Sequence, residues 1–448
     1  MKKNLMFYTF FYLTSLLVMR GSGVLAKILL ARSITPYEYG LITLFIISLP
    51  GLFQDITNFC FFDIMGHATE GKKYFSFSLV YGIISTGILA VIVLIFHAAI
   101  FSFLNIPEHY WELLYCILFG VLLSVTIGGV ITGLLRGERN HSAAAAFSAA
   151  PSILRVVFIA FAVFFFQIND FFIVCLLFAL PPLVALIPIL VFKFRVIAVS
   201  LHTIVLPNRQ ILFFGFSFFI LNVWVGISQQ INSVVISHDL GVLWQGYFDV
   251  SLSLAAILTF FSSAIYLISA PESTVSSNTQ EILNRKGGLG DVGRLLFCMC
   301  ILSVILLYFY AHPLVTLLFT SGYSVAADYL YILAIGYAVL FVQQYTAFLN
   351  ISRDEAFSRL TWVTLASILI FPLFTHLMIH YLGFAGAYLS PTIFIFGYTL
   401  CTVYLAHDRS PLMILFFRWG RLAAAGGITT ILLTLFPSRS HRVLSQVP

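Results

Sequence analysis

Apolar residues in this chain come in long continuous runs. They show neither the alternation of a half-buried strand nor the single stripe of a surface helix. Twelve runs stand out, at roughly 7–32, 38–62, 75–104, 111–135, 142–166, 171–192, 211–236, 241–270, 295–319, 326–349, 360–380 and 383–405. Each reaches the ~20 residues that carry an α-helix across a hydrocarbon core. A thirteenth, at about 420–436, is shorter and contains Gly426 and Gly427. Backbone groups in lipid must be satisfied within the protein, which leaves helices or a closed barrel. The dyad alternation of a barrel strand is missing. The pattern predicts an all-α polytopic membrane protein with about 12–13 transmembrane helices.

Composition agrees: 60% of the residues are hydrophobic and 9% charged, against about 45–50% and 25% in soluble domains. The charges that remain are placed unevenly. With the N-terminus in the cytoplasm, 17 of the 23 Lys and Arg fall in inner segments, among them Lys2, Lys3, Lys72, Lys73, Arg136, Arg139, Arg285 and Lys286. That bias is the positive-inside signature of a multi-pass protein of the cytoplasmic membrane. It also accounts for the net charge of +6 without nucleic acid. The first run follows MKKN, like a signal peptide, but Arg20 interrupts it and no small-residue cleavage site follows. It is read as an uncleaved span.

Chemistry-bearing motifs are few. The longest connection, about 271–294, is too short for a soluble domain, and no Asp-x-Asp pair occurs. The closest approach to a phosphate loop, GHATEGKK at 66–73, ends in Lys73 where a hydroxyl is needed. Gly288, Gly290 and Gly293 fit G-x-G-x-x-G but follow NRKG instead of a strand, and read as a loop. Six cysteines lie in apolar runs without a CxxC, and the histidines lack HExxH. His97, His312 and His376 read as helix-end or packing residues. No cofactor, metal or enzymatic activity is expected.

The chain echoes itself. TGLLRGERN (132–140) and TAFLNISRD (346–354) align Thr132 with Thr346, Leu135 with Leu349 and Arg139 with Arg353, an offset of 214 residues. More faintly, YEYGL (37–41) echoes WQGYF (244–248). The offset equals six spans, so two six-helix lobes of like orientation are expected, an arrangement typical of transporters. The lobes are placed at 1–210 and 211–406, with 407–448 as a C-terminal extension.

Within that frame several stretches resemble a known family. ILLARSITPYEYGLITLFI (28–46) is similar to the first helical hairpin of polysaccharide-export flippases of the MOP superfamily, the Wzx-like group. ISHDLGVLWQGYFDVSLSLAAI (236–257), FTSGYSVAADYLYILAIGY (319–337) and YLGFAGAYLSPTI (381–393) resemble later elements of the same family. Many relatives have fourteen spans. The resemblance implies a V-shaped, MATE-like, two-lobed transporter that moves lipid-linked oligosaccharides, such as O-antigen precursors, across the membrane by alternating access. It implies as partners the lipid-linked substrate, membrane lipids and other polysaccharide-assembly proteins. A cation-coupled drug or metabolite exporter of the same superfamily is the alternative, with an integral-membrane glycan polymerase or ligase behind it.

Candidate site residues follow from polar groups inside the apolar runs. A cation at a helix centre costs about 2.5–3.5 kcal/mol on insertion scales, so it should line water or meet an anion. Arg20 and Lys27, seven residues apart on one face, and Arg155, four residues after Pro151, are assigned to a headgroup phosphate. The competing reading pairs them with Asp55 or Asp249, or lets Lys27 snorkel outward. Arg32 reads as an interfacial anchor. Asn222, Gln229, Gln343 and Gln344 are candidates for sugar contacts or for hydrogen-bonded helix packing, as are Gln230 and Asn232 for packing. Asp55 and Asp249 are the candidate ion-coupling carboxylates, acting by binding a proton or Na⁺ or through a Lys27–Asp249 latch that opens during the cycle; a static salt-bridge or helix-packing role is the alternative for Asp249.

Overall fold

The computed structural model describes residues 2–58, 71–137, 141–164, 170–188, 191, 205–259, 288–350 and 354–405. Among these, helices account for nearly every residue and no strand occurs. In order they are α1 (Lys2–Ser33), α2 (Pro36–Thr43), a π-helical segment (Leu44–Ser48), α3 (Leu49–Asn58), α4 (Phe75–Ile95), α5 (His97–Phe103), α6 (Trp111–Gly137), α7 (His141–Phe164) and α8 (Phe171–Ala179). Then come α9 (Arg209–Asp239), α10 (Val242–Ala255), α11 (Gly288–Leu318), α12 (Val325–Asn350), α13 (Asp354–Leu382) and α14 (Phe384–Leu405). Among the described residues nine helical stretches are long and apolar enough to cross a membrane. At 32 and 31 residues, α1 and α9 have the length as well. The run at 420–436 lies outside the described residues.

Helices α1 to α8 pack mainly on one another, with α1 along α7 and α6 against α3, α4 and α7. Helices α9 to α14 do the same, through α12–α14, α13–α14, α9–α13 and α11–α12. The two bundles meet where α2 crosses α10 and α3 lies along α9. The end carrying Ser33, Pro107, Leu240 and Thr320 is the one that the loop charges assign to the outside, and is called the outer end below.

Several expected spans are subdivided, each for a local reason. The run at 38–62 holds the π segment, a feature that often marks functional sites. The run at 75–104 breaks at Phe96 (φ −98°, ψ 16°). The run at 171–192 bends at Leu180, ahead of Pro181 and Pro182, which have no N–H to continue the helical ladder. Pro151, by contrast, sits inside an uninterrupted α7. The glycines at 288, 290 and 293, read from sequence as a loop, instead lie in the opening turns of α11.

Short, capped turns hold the outer end together. Thr35 (φ −70°, ψ 157°) caps α2: its hydroxyl accepts from the Glu38 N–H at 3.3 Å, and the Glu38 carboxylate accepts from the Thr35 N–H at 2.9 Å. This is a reciprocal capping box, with Pro36 at the first helical position, where the missing N–H costs nothing. Gly241 (φ 97°) lets α9 turn directly into α10.

The orientation has a direct test. In a cysteine-free background, Glu108→Cys and Ser321→Cys should react with an impermeant thiol reagent from outside intact cells. Lys73→Cys should react only after permeabilisation. All three positions are exposed. The opposite pattern would reverse the assignment of the outer end.

Candidate functional site

At the outer end one carboxylate ties the two bundles together. Asp249 is 2% exposed on α10. The Lys27 ammonium of α1 donates to its Oδ1 at 2.8 Å and its Oδ2 at 2.9 Å, and to the Ser253 Oγ at 3.0 Å. The Tyr39 hydroxyl, fully buried on α2, donates to Oδ2 at 2.7 Å. Ser253 lies four residues after Asp249, hence on the same helix face. Its proton goes to the Asp249 backbone carbonyl at 2.7 Å, which orients a lone pair toward Lys27. Of the sequence alternatives for Lys27, the structure shows pairing with Asp249.

Further contacts brace the same end. Arg32 donates from Nε to the Leu318 carbonyl at 2.8 Å and from Nη2 to the Leu317 carbonyl. These belong to the last turn of α11, whose carbonyls lack helical partners and carry the negative end of the helix dipole. The anchor expected of Arg32 is therefore a cap that reaches across the bundles. Asn105, left-handed at φ 54°, donates to the His238 carbonyl at 2.8 Å. The His238 ring stacks on Phe103 with centroids 4.0 Å apart, and its Nδ1 donates to the Phe103 carbonyl at 2.6 Å. Tyr39 meets Tyr323 edge-on at 5.6 Å.

Deeper between the bundles lies a second group. Arg20 is half-buried on α1, within electrostatic range of Tyr337 of α12. The Tyr337 hydroxyl accepts a hydrogen bond from Gln229 of α9. A cavity of ≈10 Å³ adjoins Gln229 and Tyr337, lined also by Ser228, Asn232 and Thr392. It is about one water molecule in size. A cation of the first bundle and hydrogen-bonding groups of the second thus occupy one neighbourhood.

Arg155 is placed elsewhere. Its Nε donates to the Phe178 carbonyl at 3.2 Å, and its guanidinium lies 4.9 Å from the Phe178 ring centroid. The carbonyl is available because Pro182, four residues on, has no N–H to offer it. Arg155 therefore repairs a proline break and gains a cation–π contact. Asn232 joins α9 to α14, donating to the Ala387 carbonyl at 3.1 Å and accepting from Ser390 at 3.3 Å. Gln230 lies against Gly51 of α3. Gln343 is buried at 6% exposure. The side chains of Asp55, Asn222 and Gln344 lie outside the described residues.

Of the expected histidine roles, His97 Nδ1 approaches the Leu94 carbonyl at 2.9 Å, His312 pairs with Asp328 at 2.9 Å and His376 with Asp239 at 2.9 Å. Among the described residues no cluster of three His, Cys, Asp or Glu is arranged to hold a metal ion.

Sequence reading missed Tyr39, Ser253 and Tyr337. Ser253 carried a signal, a hydroxyl one turn beyond an intramembrane acid. Tyr39 and Tyr337 are two of 21 tyrosines, and only the packing distinguishes them.

No protein-family model matches the sequence, and no curated protein matches it. Solved structures do. The lipid II flippase MurJ in an inward closed conformation superposes with TM-score 0.66 and 15% identity, covering 97% of this chain and 99% of that one. An inward-facing multidrug resistance MATE family transporter of the MOP superfamily gives TM-score 0.63 and 14% identity over 89% and 96% of the two chains. An outward-facing MATE family transporter of that superfamily gives 0.56 and 16% over 94% and 96%. The chain has the fold shared by these MATE and MurJ transporters.

Proposed function

We propose that the protein is a flippase for a lipid-linked oligosaccharide, carrying a polyprenyl-pyrophosphate or dolichyl-phosphate headgroup between the two bundles of the cytoplasmic membrane protein. The observation that carries this reading is a half-buried cation, Arg20 of the first bundle, within electrostatic range of Tyr337 of the second, whose hydroxyl accepts from Gln229. Guanidinium binds phosphate oxygens through paired N–H donors. An amide and a phenol one helix away suit sugar hydroxyls. The lipid tail of such a substrate stays in the bilayer while the headgroup passes. The Lys27–Asp249 contact closes the outer end in the state described, so the headgroup would enter from the cytoplasmic side. An exporter of cationic drugs would need an acidic lining; a half-buried Arg at this level favours an anion.

Reconstituted protein should bind a fluorescent polyprenyl-pyrophosphate oligosaccharide. Arg20→Ala should weaken binding about 10- to 100-fold, the loss of a charge-assisted hydrogen bond worth about 1.5–3 kcal/mol. Arg20→Lys should recover part of it, because charge survives and the fork geometry does not. Unchanged binding in Arg20→Ala, or capture of cationic dyes in preference to the lipid pyrophosphate, would overturn the proposal.

A further inference from the structure

We propose that His238 is a proton-sensitive latch on the outer end: a proton taken up from the outside solution favours the closed arrangement of the two bundles, and its release favours opening. The proton returns to the side it came from, so it regulates closure and is not carried across. The latch rests on the alternating-access part of the transporter reading and on no particular substrate.

His238 stands in the last turn of α9, in the second bundle. Its ring lies flat on Phe103 of α5, in the first bundle, with centroids 4.0 Å apart and planes 6° from parallel. Nδ1 donates to the Phe103 carbonyl at 2.6 Å. A carbonyl oxygen only accepts, so closure commits the Nδ1 proton to the first bundle. The side chain is 38% exposed, within reach of protons from the outer solution.

The other ring nitrogen faces an acid. Nε2 lies 3.7 Å from Oδ1 of Asp239, a side chain only 10% exposed. His376 of α13 donates from Nδ1 to the same carboxylate, at 2.9 Å to Oδ2 and 3.1 Å to Oδ1. When neutral, the ring has its one proton on Nδ1, so Nε2 turns a lone pair toward an acceptor. A second proton converts that conflict into an ion pair. Once the bundles part, Phe103 no longer holds Nδ1. The ring can then turn, or change tautomer, and donate to Asp239 while neutral. The conflict therefore belongs to the closed state, which binds the proton more tightly. The bond to the Phe103 carbonyl and the stack on its ring act in the same direction, since both strengthen when the imidazole is charged.

The other ionisable groups around His238 lack this coupling. Asp239 and His376 lie on α9 and α13 of one bundle, so their bond survives opening. His380 lies one turn beyond His376, with its ring against Tyr381. Glu108 and His109 of the first bundle follow Asn105 on an exposed turn, and among the described residues neither forms an ion pair or hydrogen bond with His238. From α10 the first acid is Asp249, which Lys27 occupies. Because the closed state holds the extra proton, the closed-to-open ratio rises as pH falls through the range where imidazole changes charge, about pH 8 to 5.

The test needs no glycan, so it can fail independently of the flippase reading. Spin labels at Ser102 and Ser321, exposed positions of the two bundles at the outer end, report its separation in protein reconstituted into lipid nanodiscs. The pH is lowered from about 8 to about 5.5 with Na⁺, K⁺ and ionic strength held constant. The wild-type closed-to-open ratio should rise about three- to tenfold, as linkage to one proton allows. His238→Asn keeps an N–H for the Phe103 carbonyl but takes no proton, and should flatten the response. The Asn105 bond to the residue 238 carbonyl, 2.8 Å in the wild type, does not depend on that side chain. Asp239→Asn removes the anion opposite Nε2 and should move the midpoint to lower pH. His312→Asn is the control: its partner Asp328 lies in the same bundle, so the wild-type response should remain. A pH-independent distance in the wild type overturns the proposal. So does a response that survives in His238→Asn, an unmoved midpoint in Asp239→Asn, or a response lost in His312→Asn.

Discussion

Asp249→Ala is expected to weaken closure of the outer end by about two orders of magnitude while leaving each bundle folded. Removing one partner of a buried ion pair costs about 3–5 kcal/mol, because the other charge stays behind uncompensated. Here the substitution strands the Lys27 ammonium and also the Tyr39 hydroxyl, both of which donate to Asp249 alone or to Asp249 and one serine. The lower figure applies, since the Lys27 side chain is 16% exposed and can swing toward water. The contacts join different bundles, so the loss falls on the closed arrangement and not on the fold of either bundle. Distances across the outer end should lengthen, and thermal unfolding should move little. The double replacement Lys27→Met, Asp249→Leu should restore the short distance, because well-packed apolar residues can replace a buried pair at little cost. A single substitution that leaves the distance distribution unchanged would remove the pair from the closing mechanism.

Much of this was legible in the chain. Apolar runs of bilayer length located the helices, because lipid leaves the backbone no other arrangement. The stretch T-P-Y-E-Y-G stood out as family-like before its physics was visible. In the structure each residue of it but Tyr37 has a part: Thr35 and Glu38 cap α2, Pro36 starts it, Tyr39 holds Asp249 and Gly40 lets α10 approach. The Lys27–Asp249 pair was anticipated from depth, since both residues sit about equally far from the outer ends of their helices. Arg155 was harder. Its partner is a backbone carbonyl orphaned by Pro182, and the proline pair was not connected to a cation 27 residues earlier. Breaks in the helices are no more legible. Pro151 lies inside an uninterrupted α7, whereas the backbone of α11 leaves helical geometry at Tyr310 (φ −111°, ψ 15°), three residues before Pro313. Neighbouring helices decide whether a proline's freed carbonyl is tolerated in place, and single-sequence patterns do not contain those neighbours.

Gly246→Val should hold the outer end open and stop transport, although the substitution is benign for an isolated helix. The crossing of α2 and α10 is built on two glycines. A Cβ on Gly246 would fall on the Pro36 carbonyl oxygen, with the Gly40 nitrogen at 3.3 Å and its Cα at 3.5 Å. A Cβ on Gly40 would fall on the Val242 carbonyl oxygen, with the Gly246 nitrogen at 3.1 Å. These obstacles are backbone atoms, so no side-chain rotation relieves them, and the helices must move apart. Overpacking of a tight contact costs about 1–3 kcal/mol even where side chains can adjust. The closed state should therefore lose at least 10- to 100-fold in population, while replacing glycine slightly favours the helix itself. Gly21 and Gly23 on α1 provide the control, because among the described residues nothing lies within 4 Å of a Cβ at either. Gly21→Ala and Gly23→Ala should keep transport within about twofold, as expected of substitutions made in open space. Distances between labels at Ser102 and Ser321 should lengthen in Gly246→Val and stay unchanged in the two controls. If Gly246→Val retains both the short distance and wild-type flux, the crossing is not the point on which the bundles close.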